Sequence, residues 1–307
     1  MKAHAIVALG MLLVSVCSQP TMAGMTINGY SAATADRYDR FNNSPAFIGN
    51  PYDWSGVGRT TAGRWGTLIS PSFVISATHH APENGGAIRF YTSNDPNGTF
   101  VERTVGTSVA LTKLGFSGSS DLVLTQLSAP VTGVNTYAIV APTSPASLIG
   151  QEIYVWGQAD TPQVQTSMRL GTNQVFNVIP QLSDGTSVGS VFVYDYNTAT
   201  SLDEARLISG DSGGPSFVIG PEGPAIVGIH WFITEAAVNG LTGNRQGSGD
   251  TLVSSFVNEL NAAMAATGSA ERVRVVAVPE PSSLVMLLAG VVALSRRRSR
   301  TAPQICA

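Results

Sequence analysis

Gly210-Asp211-Ser212-Gly213-Gly214-Pro215 is the stretch on which the reading of this chain turns. Acyl transfer at a serine needs the hydroxyl on a tight loop whose backbone N–H groups converge on one point, and flanking glycines permit that backbone. Ser212 is therefore a candidate nucleophile. The same residues also satisfy Gly-x-Ser-x-Gly, the elbow of the α/β-hydrolases, where acid and histidine follow the serine. Here only His230 follows it, and a strand–helix–strand unit with an acid-bearing loop does not fit in the gap. His79 and Asp121 both precede the serine, so the chain order is His, Asp, Ser and not the Ser, acid, His of that elbow.

His79 ends the run Phe73-Val74-Ile75-Ser76-Ala77-Thr78-His79-His80, a β-branched strand passing into small residues and then imidazole. That position suits a general base facing a cleft. His80 leaves a second candidate for the base, and register with Ser76-Ala77 favours His79. Asp121 opens Ser119-Ser120-Asp121-Leu122-Val123-Leu124-Thr125-Gln126-Leu127, a strand of buried type. A carboxylate there can accept the Nδ1–H of His79 and fix its tautomer.

Working outward, short β-type runs recur at 66–69, 73–76, 87–91, 122–127, 152–156, 191–194, 216–219 and 225–232, which predicts a sandwich or barrel. Composition agrees: charged residues are 12% of the 307, against a usual value of roughly 25%, and 32 Gly and 17 Pro imply many turns. Helical periodicity enters only with Leu252, Val253, Phe256, Val257, Leu260 and Met264, behind a cap at Asp250 or Thr251. The net charge of -3 argues against nucleic acid as a partner. Cys17 and Cys306 lie in terminal segments, so no disulfide framework is expected. Four histidines without HExxH spacing predict no metal site, and no cofactor is expected.

The three motifs together resemble the trypsin/chymotrypsin family. Its Ser/Thr-Ala-Ala-His-Cys reads here as Ser76-Ala77-Thr78-His79-His80, its Asp-Ile-x-Leu-x-x-Leu as 121–127, and its Gly-Asp-Ser-Gly-Gly-Pro stands complete. The resemblance covers about 54–265 and implies an all-β fold of two six-stranded antiparallel barrels with a C-terminal helix. It implies Ser212 as nucleophile, His79 as base, Asp121 as orienter and the N–H groups of Gly210 and Ser212 as oxyanion hole. It further implies polypeptide substrates cleaved through an acyl-serine. Two departures stand out: His80 replaces a cysteine, and no Ile-Val-Gly-Gly follows a basic residue, so the partner of Asp211 is left open. Val227-Gly228-Ile229-His230-Trp231 is similar to the Gly-Ile-His-Trp of the glutamyl endopeptidase branch. That similarity implies a preference for an acidic residue on the acyl side, with His230 and Trp231 in the pocket and Arg206 near its base as another source of positive charge. Leu207 and Phe232 depart from that branch. The alternatives are a catalytically silent envelope or matrix-binding protein on the same fold, and an esterase on the same site.

The ends read as addresses. Lys2, an apolar run at 5–16 and Thr21-Met22-Ala23 form an export signal for a signal peptidase. Val278-Pro279-Glu280-Pro281, an apolar run at 284–294 and Arg296, Arg297, Arg298 and Arg300 resemble the PEP-CTERM sorting tail of Gram-negative bacteria, which implies an exosortase-like processing enzyme. The apolar run is shorter than the roughly 20 residues of an ordinary membrane helix. With its arginines it predicts a short transmembrane segment and transient anchoring, with the chain exported across the inner membrane to the envelope or beyond. The predicted division is signal peptide 1–23, arm 24–53, protease domain 54–265 with its halves meeting near 140–150, linker 266–277 and sorting tail 278–307.

Overall fold

Six strands of the first half close into a barrel in the order Val57–Thr60, Trp65–Ser70, Phe73–Ala77, Leu122–Leu127, Phe100–Ala110 and Ala87–Tyr91. The structure, a computed structural model, describes residues 24–160, 164–197, 201–234 and 246–278. Successive strand residues point to opposite faces, and Phe73–Ala77 is buried on both. Val74 packs inside the barrel with Leu68, Ile88, Phe90, Val105 and Leu127. Phe73, Ile75 and Ala77 pack the other way, in a cluster that also holds Trp156, Phe217 and Ile229 of the second half. The strand that ends at His79 is thus clamped between the two halves.

The second half is a nine-stranded sheet rather than the expected closed barrel of six strands. Its path runs Arg169–Gln174, Glu152–Gly157, Pro215–Gly220, Gly223–Thr234, Gln246–Leu252, Val188–Tyr196, Asn177–Ser183. Ile139–Ala141 joins it beside Gly223–Thr234, and Val275–Ala277 pairs in parallel with Ile139–Ala141. The all-β class and the C-terminal helix hold. That helix, Val257–Ala266, starts later than its periodicity suggested, because Gln246–Leu252 is a strand and Val253–Phe256 a 3-10 turn. Asp250 and Thr251, expected as caps, lie inside the strand, where Asp250 stands opposite His230.

Parts of the expected arm and of the expected linker are docked on the rest of the fold. In the arm, Thr26–Ile27 pairs with Ala205–Arg206, and Met25, Tyr38, Arg40 and Phe47 are buried. In the expected linker, the Glu271 carboxylate accepts from the Ser72 amide and hydroxyl, and the Val273 amide donates to Asn261 Oδ1. Backbone pairing and these side-chain bonds hold it in place. Among the described residues no helix is long and apolar enough to cross a membrane. The expected export signal, Cys17, Cys306 and the apolar run of the tail lie outside the described residues.

Candidate active site

Antiparallel pairing of Phe73–Ala77 with Leu122–Leu127 sets Ala77 opposite Leu122. The residues just beyond that pair are therefore neighbours although 42 positions separate them in the chain. The Thr78 amide donates to the Asp121 carbonyl and its hydroxyl to the Ser120 carbonyl, which folds the chain into the 3-10 turn Thr78–His80. The turn aims both donors of His79 at one carboxylate. Its amide donates to Asp121 Oδ1 at 3.0 Å, and its ring Nδ1 meets Oδ2 at 2.7 Å. Asp121 is 1% exposed, whereas the His79 side chain is 44% exposed. A buried carboxylate with both oxygens on one histidine fixes the tautomer: Nδ1 carries the proton and Nε2 presents a lone pair to the cleft.

His80 is a different kind of residue from its neighbour. It is half-buried, and its Nδ1–H donates to the Ser212 carbonyl at 3.1 Å. Burial, helped by the positive charge of Arg64, holds its pKa down at about 4. A neutral imidazole with its proton committed to a carbonyl is a strap between the first half and the serine loop, where the family that the motifs resemble has a cysteine.

The loop from Gly210 to Gly214 needs glycine for a visible reason. Gly210 and Gly213 have φ of 103° and 83°, and a Cβ on Gly213 would collide with Ser76 Oγ. Inside the loop the Asp211 amide donates to the Ile208 carbonyl, that of Gly214 to Asp211 and that of Gly213 to His230. Among the described residues, the Gly210 and Ser212 amides donate to no protein acceptor. These two are the pair expected to form the oxyanion hole. The Asp211 carboxylate is fully buried and accepts the amides of Gln158 and Ile208, each at 2.8 Å. Burial pushes its pKa up to about 6, against the pull of those two N–H groups.

His79, His80, Gly210 and Ser212 share one cleft of about 310 Å³ with Arg59, Gln158 and Ser209. The structure thus brings His79, Asp121 and Ser212 to one place, with no hydrogen bond closed between Ser212 and the His79 ring. Such catalytic hydrogen bonds commonly tighten only when substrate is present.

On the other side of Ser212 lies a pocket of about 320 Å³ lined by Leu207, Ile208, Ser209, His230, Trp231 and Phe232, among others. Trp231 lines it and anchors its indole N–H on Asp184 Oδ2 at 3.0 Å. The His230 ring, expected to meet a substrate carboxylate, is enclosed by protein partners in this structure. His230 is 0% exposed, its Nδ1 lies 2.9 Å from Asp250 Oδ1, and its Nε2 lies 2.7 Å from the Trp156 carbonyl. The Trp156 carbonyl can only accept, so Nε2 donates to it, and Nδ1 shares its hydrogen bond with the Asp250 carboxyl. Burial alone would lower its pKa, but the charge and hydrogen bond of Asp250 raise it. Asp250 was missed as a site residue, since Gly249-Asp250-Thr251 reads as a turn or cap until the strand pairing is known.

Arg206 sits on the short strand Ala205–Arg206, one residue before Leu207 of the pocket wall. Its Nε and Nη1 are buried without a hydrogen-bond partner. Among the described residues no group of three or more metal-ligating side chains comes together.

The family model described as Trypsin matches residues 49–245, and the PEP-CTERM protein-sorting motif matches residues 277–300. No curated protein matches the chain.

Proposed function

The chain belongs to the trypsin family and is a serine-type endopeptidase, and we propose that His79, Asp121 and Ser212 are its catalytic triad. Ser212 Oγ attacks the scissile carbonyl carbon while its proton passes to His79 Nε2. The developing oxyanion accepts from the Gly210 and Ser212 amides. On collapse the C–N bond breaks, and the leaving amine takes the proton from Nε2. Water then adds to the acyl-serine with the same base, and Asp121 stays ionised throughout. The observation that carries the reading is the His79–Asp121 pair, two bonds from one histidine to one buried carboxylate, on the cleft that Ser212 lines. A fluorophosphonate probe tests it, because only an activated serine reacts. Labelling at Ser212, and its loss in Ser212→Ala together with roughly 10⁴ to 10⁶ of kcat, is expected. An unlabelled protein would turn the reading toward a silent binding protein on the same fold.

The PEP-CTERM motif implies export and exosortase processing in a Gram-negative cell. Cleavage after Ala23 and near Pro279 completes that route, with release to the envelope or beyond.

A preference for an acidic residue on the acyl side remains part of the proposal, with Arg206 supplying the positive charge in place of His230. A guanidinium with two buried, unpartnered nitrogens gains most from a carboxylate. Matched peptides ending in Glu, Asp, Arg, Phe and Ala at the cleaved bond test it. Arg206→Met should lower kcat/KM for the acidic pair by about one to two orders of magnitude and leave Phe and Ala nearly unchanged. A native preference for Arg or Phe overturns it.

A further inference from the structure

Gly24 lies where the export reading puts the new terminus, and its backbone nitrogen already has an acidic partner. The Gly24 amide donates to Asp160 Oδ1 at 3.0 Å, and the next amide, Met25, donates to the Gln158 carbonyl at 2.8 Å. The site is tight: a Cβ on Gly24 would lie 2.7 Å from Gln158 O, Ala159 C and Arg169 Nη1.

The charges around that nitrogen do not balance. Arg169 bridges Asp39 at 2.6 Å and Asp160 at 3.2 Å. Tyr30, a neutral phenol, donates to Asp160 Oδ2 at 2.7 Å. One guanidinium thus serves two carboxylates, leaving one negative charge over. Signal-peptide cleavage after Ala23 converts the Gly24 amide into an ammonium, which supplies the missing positive charge at the same point and gains further N–H donors.

We infer that Asp160, with Tyr30 and Arg169 around it, is a binding site for the α-ammonium of Gly24. The inference rests on the export reading above. Asp211, a further carboxylate near this segment, is already satisfied by the Gln158 and Ile208 amides. Its oxygen stands beside Gly157, against which Met25 also packs. The anchored terminus fixes Thr26–Ile27 on Ala205–Arg206, the strand that leads into the pocket wall and the serine loop. Asp160 is thus a positioning residue and touches no reacting atom.

The test uses the full chain, exported and processed in a bacterial host, with Asp160→Asn alongside it. A third form carries one alanine inserted between Ala23 and Gly24, which moves the amine one residue away. Mass spectrometry of the N-terminal peptide after brief exposure to acetic anhydride near neutral pH reads both the cleavage point and the amine's reactivity. A terminus at Gly24 that acylates about tenfold more slowly in the wild type than in Asp160→Asn is expected, since the neutral amine is the reactive form. The alanine-inserted form should acylate as fast as Asp160→Asn, which keeps the question open to measurement if that variant does not accumulate. A terminus elsewhere, or equal rates in all forms, overturns the inference. The readout is the amine, so it stands apart from peptide hydrolysis. A slow terminus on a chain that ignores peptides would sink the triad and keep this site.

Discussion

Two adjacent histidines, His79 and His80, do unlike work because their rings meet unlike partners. His79 faces a carboxylate that takes its proton-bearing nitrogen and leaves Nε2 toward the cleft. His80 gives its Nδ1–H to the Ser212 carbonyl and is held neutral by burial. His79→Ala should therefore lose kcat on the scale of Ser212→Ala, and His80→Ala far less; the reverse ranking in peptide hydrolysis would move the base to His80. The same contrast gives a pH signature. The folded chain keeps His80 neutral down to about pH 4, while the unfolded chain takes up its proton near the ordinary value of about 6.5. Between those limits the unfolded state binds more protons, so this residue makes stability fall as pH is lowered through the window. Chemical-denaturation midpoints at pH 7 and pH 4.5 should differ less in His80→Gln than in the wild type. An equal difference would show that His80 is not held neutral. The three proposed triad residues could be named from local motifs alone, as strand-then-imidazole and aspartate-then-strand each describe their own surroundings. The environment of His230 was not, because its two partners, Asp250 and the Trp156 carbonyl, come from distant strands.

Among the elements, the serine loop shows how backbone fixes chemistry. Gly213 combines a φ of 83° with a path hard against Ser76, and the His230 backbone brackets the turn, accepting from Gly213 and donating to Gly214. A side chain at 213 must take a left-handed backbone and displace the strand that carries His79. Gly213→Ala is expected to cost roughly 1–3 kcal/mol of stability for the backbone alone, and peptidase activity should fall by more than the folded fraction accounts for. Denaturant titration beside kcat measurement checks this; unchanged values in both would mean that the loop tolerates a Cβ. The strands that the sequence revealed, such as Phe73–Ala77 and Leu122–Leu127, are buried on most of their length and so are written in apolar residues. Phe100–Ala110, by contrast, is largely exposed, and Gln246–Leu252 carries two glycines and an aspartate in a buried setting. Neither offers the alternation or apolar run that marks a strand, because partner strands and the buried His230–Asp250 hydrogen bond, rather than side-chain hydrophobicity, hold them in place.

At the scale of the whole molecule, both ends of the described chain are stitched onto the second half: Thr26–Ile27 to Ala205–Arg206, and Val275–Ala277 to Ile139–Ala141. The shortness of these strands hid this from the sequence, since two or three residues carry no readable period and backbone pairing needs none. The C-terminal stitch bears on where the sorting tail can be cut without loss. Val276 and Val278 pack against the cluster that holds Val140, Ala225 and Val227, the Ile139 amide donates to the Arg274 carbonyl, and Glu271 holds Ser72 of the barrel. A chain ending at 278 keeps all of these, and removal of the Pro-Glu-Pro tail should leave its thermal midpoint where the longer chain has it. A chain ending at 266 loses the added strand, about two partly buried valines and several hydrogen bonds, together worth on the order of 2–3 kcal/mol. For a domain of this size that corresponds to a midpoint lower by roughly 4–12 °C. Calorimetry on the two truncations decides the matter: equal midpoints would mean that 267–278 is the free linker its composition suggests, and a lower one for the shorter chain makes the strand part of the protease domain.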